Sequence, residues 1–241
     1  MVNNRIYRAK RAENTSPTSF GFRVRSSHRL SFLRTGEASD VLDIHTNGSM
    51  PTAPATQPLM EWKLKGSIRD INAKLYMIDG TYRYWISDVG WNYIDPAKRT
   101  IVITDTCDEI FREHRLWGTP TLLCAAHRGD FFVHAAAAEL AGGAVLLAAP
   151  GRHGKTTLAL SFHNEGYRVL SEDSACCRLT PYPTLLPGPA MLRIRPDVFN
   201  GRAPKGTHVV SIYDDRIYLA LDEDRRGRDD PVPIRALIFL R

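Results

Sequence analysis

Apolar and polar residues alternate through "FGFRVRSSHRLSFL" and "DVLDIHT", a period of two that predicts short strands with one buried face. The stretch from Asn47 to Pro58, "NGSMPTAPATQP", is rich in Pro and Thr and reads as a loop. After it, "LMEWKLKG" and "AKLYMIDGTYRYWISDVGWNYIDPAKRTIVIT" predict a run of hairpins that turn at Gly80 and at Asp95 to Arg99. From Asp108 the period lengthens. "DEIFREHRLWG" and "PTLLCAAHRGD" predict two helical segments divided by Gly118 and Pro120, the second ending at Gly129.

Apolar runs on either side of "AGG" in "FFVHAAAAELAGGAVLLAAP" predict a β-hairpin. "KTTLALSFHNE" follows as a short helix carrying Leu158, Leu160 and Phe162, with Gly166 as its stop. "YRVLSEDSACCRL" reads as one strand and "PYPTLLPGPAM" as a proline-rich connection to "LRIRPDVF". Three more strand-like runs, "HVVSIY", "RIYLAL" and "IRALIFL", complete the chain. The last is followed only by Arg241, so either the fold finishes on a strand or the chain is truncated and further sequence closes it, the second being the expectation. The pattern divides into a β-rich N-terminal domain over 1–105, a helical connection over 106–129 and a second domain over 130–241. The fold class expected is α/β, or α+β for the chain as a whole.

Composition adds bounds. With 241 residues, 43% hydrophobic and 24% charged, the chain reads as an ordinary globular protein able to bury a core. The net charge of +6 comes from scattered Arg and Lys with no basic stripe and interleaved aromatics, so nucleic acid is not an expected partner. Cys107, Cys124, Cys176 and Cys177 show no zinc spacing and read as buried reduced thiols, the adjacent pair facing opposite ways on a strand. The polar start, "MVNNRIYRAKRAENTS", lacks the apolar run of a signal peptide, and no segment reaches the roughly 18 apolar residues of a membrane span. A cytoplasmic protein with no membrane partner is the expectation.

The candidate chemistry centres on "LLAAPGRHGKTTLAL". A phosphate-binding loop needs a strand, a turn whose N–H groups converge on an anion, a lysine, a hydroxyl beside it and a helix N-terminus. "AVLLAA" supplies the strand, "PGRHG" the turn with Gly151 and Gly154, Lys155 the cation, Thr156 a metal-ligating hydroxyl, and the next residues the helix. The candidate nucleotide-binding set is Gly151, Arg152, His153, Gly154, Lys155, Thr156 and Thr157. Only the first glycine of the pattern is replaced, by Ala149. Glu172 and Asp173 come 17 and 18 residues after Lys155, at the end of an apolar strand pattern, where a carboxylate can serve a metal or a nucleophile.

With these residues in view, "HAAAAELAGGAVLLAAPGRHGKTTLALSFHNEGYRVLSED" resembles the catalytic domain of HPr kinase/phosphorylase and its P-loop serine-kinase relatives, some of which accompany peptide natural-product clusters. His134 lies 21 positions before Lys155, which is the family spacing; Lys155, Thr156 and Asp173 fall on the family's lysine, metal-ligating hydroxyl and catalytic aspartate. The resemblance spans about Phe132 to Asp173 and implies a P-loop kinase-like domain with a central sheet. It departs at Ala135, where the family has Gly, at Glu172, which replaces an aspartate, and at Arg193, where a second metal carboxylate would lie.

What the resemblance implies is an ATP- and Mg²⁺-dependent kinase acting on a Ser or Thr hydroxyl of a peptide or protein. Asp173, His134 and Lys155 would be catalytic, and Thr156 and Glu172 would hold the metal. Assembly into a homo-oligomer follows from the family's hexamers. Two other expectations stand beside it: a nucleotide-binding interaction or regulatory module without efficient transfer, and the nucleotide-dependent chemistry of phosphoenolpyruvate carboxykinases, whose additional His and Lys ligands the sequence does not offer. In the N-terminal part, Tyr82, Tyr84, Trp85, Trp91 and Tyr93 cluster in "TYRYWISDVGWNY", either as sheet packing or as a surface that docks a peptide.

Overall fold

A computed structural model of the protein describes residues 15–47, 54–64, 70–104, 108–151, 153–199, 201–213 and 215–241. The polar N-terminal tail, half of the Pro/Thr loop, Cys107 and Arg152 lie outside the described residues. The architecture is mixed α+β, dominated by strands.

The N-terminal alternation folds as expected into β1 (Ser16–Ser19), β2 (Phe22–Ser26), β3 (Arg34–Gly36), β4 (Val41–Asn47), β5 (Met60–Leu64), β6 (Ile71–Ile78), β7 (Thr81–Ile86), β8 (Gly90–Asp95) and β9 (Thr100–Thr104). These make one nine-stranded sheet in the order β3-β1-β2-β4-β9-β8-β7-β6-β5. Period two puts Phe22, Val24, Leu42, Ile44, Ile101 and Ile103 on one buried face. The two helical segments are α1 (Glu109–Leu116), capped by the Asp108 side chain accepting from the Phe111 N–H at 2.9 Å, and α2 (Thr119–His127). Phe111, Leu116, Trp117, Cys124 and Ala125 cover that face.

The second half comprises β10 (Phe131–Val133), β11 (Ala135–Leu140), β12 (Gly143–Ala148), α3 (Lys155–Asn164), β13 (Arg168–Ser171), β14 (Ala175–Arg178), β15 (Thr184–Leu186), β16 (Met191–Ile194), β17 (Thr207–Tyr213), β18 (Arg216–Leu221), α4 (Glu223–Arg226) and β19 (Val232–Phe239). A seven-stranded sheet runs β10-β14-β15-β19-β12-β11-β13, and a three-stranded one runs β16-β18-β17. Two expectations need correction. "YRVLSEDSACCRL" is not one strand but two, β13 and β14, broken at Glu172 to Ser174, because β13 pairs with β11 while β14 pairs with β10 and β15. The proline-rich connection also contains a strand, β15, held between β14 and β19.

The alanine run of β11 is buried on both sides. Ala136 packs with Leu147, Ala159 and Leu160 under α3, while Ala135 and Ala137 pack with Leu146, Ala148 and Leu170 on the opposite face. Small side chains let α3 lie close to the strand. One hydrophobic cluster joins the two halves, with Phe20, Phe22 and Trp117 meeting Cys176, Leu186, Met191 and Tyr218. Arg34, fully buried, reinforces the junction by donating to the carbonyls of Gly188 at 2.7 Å, Val169 at 2.8 Å and Arg226.

Candidate functional site

Strand direction decides where the predicted residues meet. β11 is antiparallel to both β12 and β13, so those two run the same way. Ala148, at the end of β12, pairs with Ala135, and Ser171, at the end of β13, with Ala137. The turn after β12, the residues after β13 and His134 just before β11 therefore emerge at one sheet edge.

The turn leads into α3 with Gly154 as its N-cap in the left-handed region, φ 86°, and no side chain caps the helix. A Cβ at Gly154 would meet no atom within 4 Å, so backbone conformation and not space calls for glycine there. Gly151 does not take a positive φ. Uncapped N–H groups at a helix start are donors for an anion. Lys155 is buried, and its Nζ donates to the carbonyls of Ala149 at 2.8 Å and Pro150 at 3.1 Å, which cinches the turn. His153 is exposed, its Nδ1 2.9 Å from the Gly151 carbonyl, and Thr157 is exposed on the first turn of the helix.

Thr156 and Glu172 come together: the hydroxyl donates to Oε1 at 2.7 Å, while Oε2 is buried without a hydrogen-bond partner. Burial raises the Glu172 carboxyl above the ordinary range; Arg193 and the Thr156 hydrogen bond oppose this, and neighbouring Asp173 adds to it. Among the described residues no group of three or more His, Cys, Asp or Glu side chains gathers as a metal site. A hydroxyl beside an orphaned carboxylate oxygen still fits Mg²⁺, which takes one or two protein oxygens and completes its shell from phosphates and water.

Asp173 lies 3.5 Å, Oδ1 to Nδ1, from His134, both partly exposed. Its other oxygen faces Arg193 at 3.7 Å. Arg193 projects from β16, paired in register with Tyr218 of β18. Burial works against the Arg193 charge, but Glu172, Asp173 and Tyr218 outweigh it and hold the guanidinium above its ordinary value. Its Nη1 donates to His114 Nε2 at 2.9 Å. Burial, with Arg193 and Arg115 alongside, holds His114 well below the usual histidine range, so the ring is neutral with its proton on Nδ1.

A cavity of about 230 Å³ opens beside these groups, lined by Glu172, Asp173, Ser174 and Arg193, by His114, Arg115 and Trp117 near the end of α1, and by Trp62 and Tyr84 of the nine-stranded sheet. Trp62 and Tyr84 stack with ring centroids 5.7 Å apart and planes 13° from parallel. Of the aromatic cluster in β7 and β8, only Tyr84 lines this cavity; Trp85 and Trp91 pair across the two strands. Sequence reasoning missed His114, Arg115 and Trp62, which come from elements read only as packing. No family model matches the sequence, and no curated protein matches it.

Proposed function

We propose that the protein is an ATP-dependent phosphotransferase acting on a Ser or Thr hydroxyl of a peptide or protein. One observation carries this reading: a single sheet edge gathers the Lys155 turn, the Thr156 and Glu172 pair at 2.7 Å, and the Asp173 and His134 pair at 3.5 Å. Nucleotide, metal and proton acceptor need this adjacency, and a chance Gly-Lys-Thr does not supply it.

In this reading the N–H groups of the turn and the start of α3 hold the β-phosphate. Lys155 exchanges its two carbonyl contacts for phosphate oxygens and offsets their charge. Thr156 and Glu172 would hold Mg²⁺, which would supply neutralisation of phosphate charge. Asp173 receives the proton of the acceptor hydroxyl as its oxygen bonds to the γ-phosphorus and the bond to the β,γ-bridging oxygen breaks, leaving ADP. His134 steadies the Asp173 carboxylate, as the 3.5 Å contact allows. Arg193 holds the other Asp173 oxygen and balances the buried Glu172 charge.

The Arg193 contact also favours a second reading, a nucleotide-binding module with little transfer, because a cation on Asp173 weakens it as a base. One experiment separates them. The protein is incubated with ATP, Mg²⁺ and Ser- or Thr-containing peptides, and a mass gain of one phosphate is followed. Transfer in the wild type that drops by at least about a hundredfold in Asp173→Asn supports the kinase. Nucleotide binding without transfer in both proteins sinks it.

A further inference from the structure

We propose that the cavity beside Asp173 receives the side chain of the residue adjacent to the acceptor hydroxyl, and that this residue is aromatic. The inference rests on the phosphotransfer reading and names part of its substrate. At about 230 Å³ the cavity is smaller than the several hundred Å³ that enclose a whole drug-sized ligand, and none of the turn's glycines lines it. It suits one flat side chain.

Its apolar wall is the stacked Trp62 and Tyr84 pair, against which a further ring gains contact area and stacking. The lining also has an incomplete polar part. His114 Nδ1 and Arg115 Nε are buried donors with no acceptor, and both residues line the cavity. Both atoms are enclosed, so a small shift of the wall on binding brings them to a main-chain carbonyl of the incoming residue, the acceptor they lack. The reach is short, because a single guanidinium, that of Arg193, lies between His114 at 2.9 Å and Asp173 at 3.7 Å. The Cα of the next peptide residue stands ~3.8 Å along the chain, and its side chain covers the remaining distance into the cavity.

The probes are N-acetyl-Ser-Trp-amide and N-acetyl-Trp-Ser-amide against their alanine counterparts, titrated by ligand-observed NMR into the full chain with Mg²⁺ and a non-hydrolysable ATP analogue. At least one tryptophan dipeptide is expected to bind about tenfold tighter than its alanine partner. Trp62→Ala and the bulkier Trp62→Leu bring the ratio to near one and leave analogue affinity unchanged. Equal affinities in the wild type, or a preference untouched in both variants, overturn the proposal. So does a loss of analogue affinity in both, which assigns the cavity to the adenine ring instead. If the preference is found but ATP transfers no phosphate to the preferred dipeptide, the pocket stands and the kinase reading falls.

Discussion

Lys155 spends two of its three donors on the carbonyls of Ala149 and Pro150. Lys155→Ala therefore removes a tie across the turn and, on the proposed function, the cation that meets phosphate. ATP binding or transfer should weaken by about 2 to 4 kcal/mol, checked by calorimetric titration with Mg-ATP; unchanged binding and turnover would refute the loop assignment. Away from the site, Glu113 on α1 accepts from the Ser31 N–H at 2.6 Å, the Phe32 N–H at 3.0 Å and Trp117 Nε1 at 3.2 Å. Burial nonetheless pushes its carboxyl up to about 7, those three donors pulling the other way. The folded state thus holds this proton more tightly than the unfolded chain, where the group keeps its ordinary value of 4.5. The stability it contributes is complete below about 4.5 and is lost as pH rises through about 7. Denaturant titrations between those values should show that fall, on the order of 1 to 3 kcal/mol, and a flatter slope in Glu113→Gln.

The hairpin of β11 and β12 turns through Ala141 at φ 48° and Gly142 at φ 73°. A two-residue turn of this kind wants Asn or Asp followed by Gly, and β6 and β7 use that pair at Asp79 and Gly80. Ala141→Asn should raise stability by ~0.5 to 1 kcal/mol, read as a higher midpoint of thermal unfolding, without altering the proposed nucleotide site at the far end of β12. This turn, like α1, α2 and α3, was legible because period and glycine placement are local signals. β15 was not, since three residues between prolines carry no period and become a strand only through β14 and β19. The break at Glu172 to Ser174 was hidden for the same reason: no Gly or Pro marks it, and the separate partners of β13 and β14 impose it. The sequence placed His134, Lys155, Thr156, Glu172 and Asp173 in one neighbourhood because each adjoins an end of the same strands. His114 and Trp62 reach that neighbourhood by long-range packing that no spacing announces.

Across the molecule, the two halves share a hydrophobic cluster and the three carbonyls gathered by Arg34. Burial lowers that guanidinium to about 10, with Asp229 opposing, so it remains charged at neutral pH. Arg34→Met leaves the carbonyls of Gly188, Val169 and Arg226 without this donor and should cost about 3 to 5 kcal/mol in chemical unfolding; a loss below about 1 kcal/mol would show that the junction relies on its apolar contacts alone. No described helix is long and apolar enough to cross a membrane. The closeness of the halves also has an optical consequence. Of the four tryptophans in the chain, Trp62 and Trp117 line the cavity, one from the nine-stranded sheet and one from the end of α1, while Trp85 and Trp91 do not. A ligand that fills the cavity should therefore alter emission from the first two, seen without a label as a change over the constant background of the second pair.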